Sequence, residues 1–173
     1  MTWPERPAGA WNVMKRALIV LSLLAIAAPA AAQNASQIAR VRGGVSCSGC
    51  NLFQGDFSGL EARGLNLSGS RLRQADLSLA VMNRTRFSQA DLRDVEAYGG
   101  VFSSSNFTGA DLTNASFVGA YLQGSAFAGA NLTGANFSGA QLVGATGLNQ
   151  SQLNRACGDE ATSLPRGLRI PAC

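Results

Sequence analysis

From Leu52 to Leu142 the chain sets an apolar residue at every fifth position without a break in register. Nineteen positions belong to this series: nine are Leu and seven are Phe, and the others are Met82, Ala62 and Ala97. No regular secondary structure has a period of five. Five residues of α-helix advance about 500°, which scatters the series around the circumference instead of gathering it on one face. Along a continuous strand, an odd period sends successive members to opposite faces of the sheet. The backbone must therefore turn once in every repeat, and a short internal repeat of this kind is read before any other feature.

Two residues before most of these centres stands a small residue, as at Ala75, Ala90, Ala110, Ala120 and Ala140. Gly follows two residues after the centre in eleven repeats. The units ADLRD, ADLTN, ANLTG and ANFSG resemble the pentapeptide-repeat family, whose unit is written A(D/N)Lxx. The resemblance covers residues 51–146 and implies an all-β fold, a right-handed quadrilateral β-helix. In such a coil each repeat makes one side, the centre and the small residue point inward, and four repeats complete a turn.

Four sides can be tested on the residues themselves, because positions 20 apart should then stack. Leu52, Leu72, Leu92, Leu112 and Leu132 make an all-leucine column, and Leu67, Phe87, Phe107 and Phe127 make a mostly aromatic one. Like shapes above one another are what close packing between coils requires. Nineteen quintets make between four and five coils, a column about 23 Å tall at ordinary inter-strand spacing. Small residues beside the centres suit a narrow tube with no room for two bulky side chains per side. Leu60, Leu65 and Val95 break that rule, so the coil should be wider or less regular near them.

Flanking segments complete the organisation. Residues 14–33 begin with Lys15-Arg16, continue through an apolar run from Ala17 to Ala28 and reach Ala30-Ala31-Ala32 before Gln33. That is the pattern of a cleavable secretory signal, the run being short for a membrane span, with an uncleaved N-terminal anchor as the alternative. Residues 1–33 are therefore expected to be a signal peptide, with translation starting at Met14, and the mature protein to be periplasmic or secreted with no membrane span. Residues 34–50 read as an N-terminal cap or linker, 51–146 as the β-helix, and 147–173 as a C-terminal cap with a disulfide-linked tail. In that last segment a short helix is expected from about Gln150 to Ala156, with Asn149 as N-cap and Gly158 as a stop.

An oxidising destination suits the four cysteines. Cys157 and Cys173 would staple the tail to the helix. Cys47 occupies a centre position and Cys50 a small position, so both should face inward as a short-range disulfide or as two buried thiols. A thioredoxin-like pair would need a strand-to-helix context that this segment lacks. A zinc site of four cysteines would need the two ends of the column to meet, and the chain has no histidine.

The formal charge of +4 overstates any attraction to nucleic acid. Removing residues 1–33 leaves 11 basic and 9 acidic residues, and residues 51–146 hold six arginines against seven acids. Outward columns place Arg73 and Arg93 beside Asn51, Arg71, Asp91, Asp111 and Asn131, a solvated charge lattice, and Asp56, Asp76 and Glu96 in an acidic row. An apolar patch is expected where Tyr98 and Val118 on one side meet Val81, Val101 and Tyr121 on the next, and contiguous exposed apolar area marks partner surfaces. The sequence holds no nucleophile–base pair, phosphate loop or metal-ligand cluster, so no catalytic residue, metal or cofactor is expected. These features point to a non-catalytic exported scaffold or protein-binding module whose partner is an unidentified protein or a second copy. The alternative comes from the resemblance: some family members mimic DNA and inhibit type II topoisomerases. That role needs an acidic surface and residence in the cytoplasm.

Overall fold

The computed structural model describes residues 34–173, so the expected signal segment, residues 1–33, lies outside the described residues. Parallel bridges link each residue preceding a centre to the one 20 positions later, from Asn51↔Arg71 through Ala126↔Thr146. Each side pairs through a single bridge before the backbone turns, and four repeats complete one coil, a β-helix.

Where the backbone amides go explains the repeat. The centre amide donates to the coil above, as from Leu52 N–H to the Arg71 carbonyl at 2.8 Å, and so does the amide two residues on, from Gln54 to Arg73. The amide preceding the next centre donates to the coil below, as from Arg71 to Cys50, and the one before that closes the corner, as from Ala75 to Leu72. That leaves the amide just after each centre, which neither neighbouring coil can reach. In nine of the nineteen repeats an Asp or Asn two residues earlier accepts from it, as Asp56 does from Ser58 N–H at 3.0 Å, Asp76 from Ser78, Asn106 from Thr108 and Asn136 from Ser138. The D/N position of the motif is thus a backbone-satisfying position, in keeping with the rule that main-chain polar groups are paired.

The residue two after each centre makes the corner, and it lies in the left-handed region in every repeat. Glycine holds most of these positions, as at Gly119 (φ +67°), while eight are held by other residues, among them Leu79, Arg84 and Asp94. A left-handed φ crowds Cβ against the backbone, which glycine avoids. Glycine therefore recurs at the corners for a backbone reason, in addition to the narrowness of the tube.

Inside, the seven phenylalanines and nine leucines at centre positions from Leu52 to Leu142 are fully buried. Phe87, Phe107 and Phe127 stack at 5.1 Å between ring centroids, and Phe117 and Phe137 at 5.7 Å, while neighbouring columns meet edge to face. Both arrangements suit the ring quadrupole. Two small positions are glycine because a phenylalanine ring folds back over them: a Cβ on Gly55 would lie 2.5 Å from the Phe57 ring, and one on Gly100 would strike Phe102. At the bulky positions the outcome is mixed. The corner-closing bond is missing at Leu65 and Val95 among the described residues, whereas Leu60, half-buried in the first coil, keeps its bond to Phe57 at 3.0 Å. Thr85 loses the same bond; its amide turns to the Ser105 hydroxyl at 3.1 Å, and its own hydroxyl oxygen is buried without a partner.

Both ends of the ladder meet non-repeat chain. Helix α1 (Ala35–Arg42), which the sequence reading left as undivided linker, is capped by Asn34 and followed by Gly43. It buries Val41, accepts the Asn51 amide on Gln37 Oε1 at 2.7 Å, and sends Arg42 to the carbonyl and carboxylate of Asp56. Helix α2 (Gln150–Leu153) starts at Asn149 with a reciprocal capping box to Gln152, and ends at Leu153, short of the expected Ala156. The Gln152 amide group donates to the carbonyls of Phe127 and Ala130, and Leu153 is fully buried. Beyond α2 the chain prolongs the ladder without repeat sequence: Gly134, Phe137 and Leu142 donate to Arg155, Cys157 and Ser163, and Gly139 N–H donates to the Asp159 carboxylate.

Two substitutions test this account of the repeat. Gly119→Ala places a Cβ in open space, so its expected cost of about 1–2 kcal/mol is a backbone cost alone. Arg84→Gly should stabilise by up to about 1 kcal/mol by relieving the same strain, less the entropy glycine adds to the unfolded chain. Urea unfolding of the two variants checks both signs.

Candidate interaction surface

The sides are numbered by their inward columns: the first carries Leu52 to Leu132, the second Phe57 to Phe137, the third Ala62 to Leu142 and the fourth Leu67 to Phe127. On each side, the residues just before and just after the centre face outward. On the third side the bridges stack Glu61, Val81, Val101, Tyr121 and Gln141 in one outward column. Around the corner, the second side carries Tyr98 and Val118. Tyr98 is 57% and Tyr121 48% exposed, while Val81, Val101 and Val118 are half-buried. The sequence reading omitted Leu79, the most exposed large apolar residue of this region at 61%. It occupies a corner position where most repeats have Gly, which is the signal that could have found it. Its side chain leans over Gly99, where an added Cβ would come within 3.0 Å of the leucine Cδ2.

The first side carries the charge lattice. Arg93 grips Asp91 with two bonds of 2.7 Å and approaches Asp111 at 3.7 Å, and Arg73 reaches Asp94 at 3.3 Å. The Arg93 guanidinium holds the Asp91 carboxyl below the usual range, and Asp91 in turn pushes Arg93 further up. These groups are two-fifths exposed or partly so, and exposed pairs contribute about 0–1 kcal/mol. On the second side, Asp56, Asp76 and Glu96 stack as one acidic row. The first two already accept the backbone amides of Ser58 and Ser78, and Asp56 also pairs with Arg42 at 3.1 Å. Hydrogen bonds from Ser58, then Arg42, lower the Asp56 carboxyl, and the Gly139 amide with Thr162 and Ala161 lowers Asp159.

Cys47 and Cys50 are joined in a disulfide at the first coil, Cys47 buried and Cys50 half-buried; Cys157 and Cys173 are joined in another, closing the tail. Among the described residues no three of His, Cys, Asp and Glu are grouped to hold a metal ion, and no helix is long and apolar enough to cross a membrane.

A coil of four five-residue sides, with turn glycines, an Asp or Asn on the exposed face and Leu or Phe inside, defines a β-helical solenoid. The chain belongs to the pentapeptide-repeat family: the profile described as "Pentapeptide repeats" matches eight copies over residues 63–96 and 110–146. Membership brings with it the right-handed β-helix. Similar solved structures include the pentapeptide repeat protein Rfr23 from the cyanobacterium Cyanothece 51142, 25% identical, covering 75% of this chain and 98% of that one with a TM-score of 0.39. Another is a pentapeptide repeat protein from the thylakoid lumen of Arabidopsis thaliana, 28% identical over 63% of this chain and 58% of that one, TM-score 0.31. A third is a trypsin-treated form of QnrB1, a plasmid-mediated fluoroquinolone resistance protein, 21% identical over 73% and 76% of the two chains, TM-score 0.44. No curated protein sequence matches the chain.

Acid should act on the lattice in a defined direction. A carboxyl lowered in the native state adds stability above its unfolded value of about 3.9, and that stability is lost as pH falls through the lowered native value. Asp91→Asn keeps the acceptor for the Arg93 amide but removes the titration. Between about pH 5 and pH 2 its melting temperature should therefore fall less steeply than that of the wild type. Parallel profiles would show that the pair contributes nothing.

Proposed function

We propose that the mature chain is an exported, non-catalytic scaffold that binds a protein partner through the apolar patch at the corner of the second and third sides. The observation that carries this reading is the exposure of Leu79, Tyr98 and Tyr121 on a coil whose interior is otherwise filled by its own side chains. Contiguous apolar surface at this density is a mark of partner surfaces. Two disulfides support residence in an oxidising compartment, as does the apolar run Ala17–Ala28 followed by alanines. In this reading α1, α2 and the stapled tail serve as covers that keep the open ends of the ladder from pairing with other chains.

A DNA-like topoisomerase ligand is the weaker reading, since six arginines offset seven acids across residues 51–146. Much of the acidic row is also engaged with its own backbone.

Mass spectrometry of the protein from cell envelopes should find a new N-terminus at or near Gln33, whereas a chain retaining Met14 in the cytosol would contradict export. Replacing Tyr98 and Tyr121 together by serine should leave thermal melting unchanged and abolish retention of any partner on the immobilised protein. Retention that survives the double replacement would exclude this patch.

A further inference from the structure

We propose that the third side is a self-complementary surface on which a second copy of this chain docks antiparallel, the two-fold axis crossing the side at Val101. This rests on the binding-module reading and names its partner. Bridges fix the height of each outward residue, because each step of 20 residues is one coil, about 4.8 Å. Folding the column Glu61, Val81, Val101, Tyr121, Gln141 onto itself about its middle sets Val101 against its own copy, Val81 against Tyr121, and Glu61 against Gln141. In the second outward column Ser103 meets its copy and Asn83 meets Gln123, while at the rim Arg63 lies against the exposed Val143, where its aliphatic stem can cover the valine and its guanidinium stays in water. At the corner, Tyr98 meets its copy and Leu79 meets Val118. Across the centre of the face apolar residues thus cover apolar ones and amides meet amides, and at the rim the Glu61 carboxylate receives an amide donor.

The other two-fold arrangement, with the columns parallel, is worse. It sets Val81, Val101 and Tyr121 against Asn83, Ser103 and Gln123 and gains an ion pair between Glu61 and Arg63. A desolvated amide without a partner costs about 1–3 kcal/mol, against about 0–1 kcal/mol gained from a rim ion pair. Nor do the other sides fold onto themselves. The same operation would set Asp91 against Asp91 on the first side and Glu96 against Glu96 on the second. On the fourth side, Asn66, Arg86, Asn106, Ala126 and Thr146 offer no apolar stripe. Among the described residues Arg63, Arg84 and Arg86 form no ion pair, and in the antiparallel register none of them meets an arginine of the second copy.

One side of a narrow coil buries less than the roughly 1,200 Å² of a stable interface, so the dimer is transient, with a dissociation constant of about 10–100 µM. Sedimentation velocity of the mature protein purified from cell envelopes, from about 1 µM to about 1 mM, should show the mass rising from that of the monomer toward twice that value. Val101→Arg sets two like charges across the axis, and Tyr98→Ser empties the corner contact. Each should weaken the dimer at least about tenfold while melting stays at the wild-type temperature. The register has its own test: Ser103→Cys lies beside the axis and should cross-link on oxidation much faster than Thr113→Cys on the first side. Equal cross-linking rates overturn the proposed register. A dimer indifferent to both Val101→Arg and Tyr98→Ser overturns the surface. A chain monomeric throughout overturns self-association; if that monomer still retains an envelope protein through Tyr98 and Tyr121, the binding-module reading survives, and if it retains none, both fall.

Discussion

Turning the backbone by a quarter every five residues leaves one amide per repeat that neither the coil above nor the coil below can reach, and in the repeats that carry Asp or Asn two residues earlier that side chain takes it up. The same quarter-turn forces the corner residue into the left-handed region. The motif follows from these two demands together with the narrow interior: a small inward residue, an Asp or Asn outside, a large apolar centre, and glycine at the corner. An internal hydrogen bond of this kind contributes about 0.5–1.5 kcal/mol net, so the Asx position adds stability at each side that carries Asp or Asn, while the outward amide of the other sides is left to solvent.

Interior packing then depends on what that backbone leaves open. Stacked phenylalanines run through two of the columns, and glycine replaces alanine where a ring folds back, at Gly55 and Gly100. Serine enters the core on the same terms. The hydroxyls of Ser70, Ser105 and Ser125 each donate to a carbonyl 23 residues earlier, of Cys47, Met82 and Phe102. Buried polar groups are tolerated in an apolar tube only when satisfied in this way. Thr85 is the exception, and it sits in the coil directly above the irregular turn at Leu65.

Much of the coil is legible in the sequence, because a period of five excludes helix and strand alike and a period of 20 fixes the number of sides. The two ends were harder to read. Helix α1 has a legible start in Asn34 and stop in Gly43, yet at eight residues it shows too few apolar positions for a helical stripe to stand out. The partial coil formed by Arg155, Cys157 and Ser163 has no repeat signature at all, since its pairing is set by backbone groups that the last repeats leave open. Of the patch, the valines and tyrosines follow from register, but Leu79 was hidden at a position that the repeat assigns to the corner. The acidic row was visible as charge, whereas its engagement with backbone amides was not.

A surface presented by such a coil is held at every side, since the outward residue before each centre from Arg71 to Ala126 is bridged to the coils above and below. The most direct measurement of this architecture is amide hydrogen exchange resolved by residue. The account predicts protection that repeats every five residues from Leu52 to Phe127: slow exchange at the centres and corners, and fast exchange just after the centre where no Asx acceptor precedes, as at Ser103, Val118 and Gln123. Protection with a period of three to four residues, or protection that ignores the position of Asp and Asn, would contradict it.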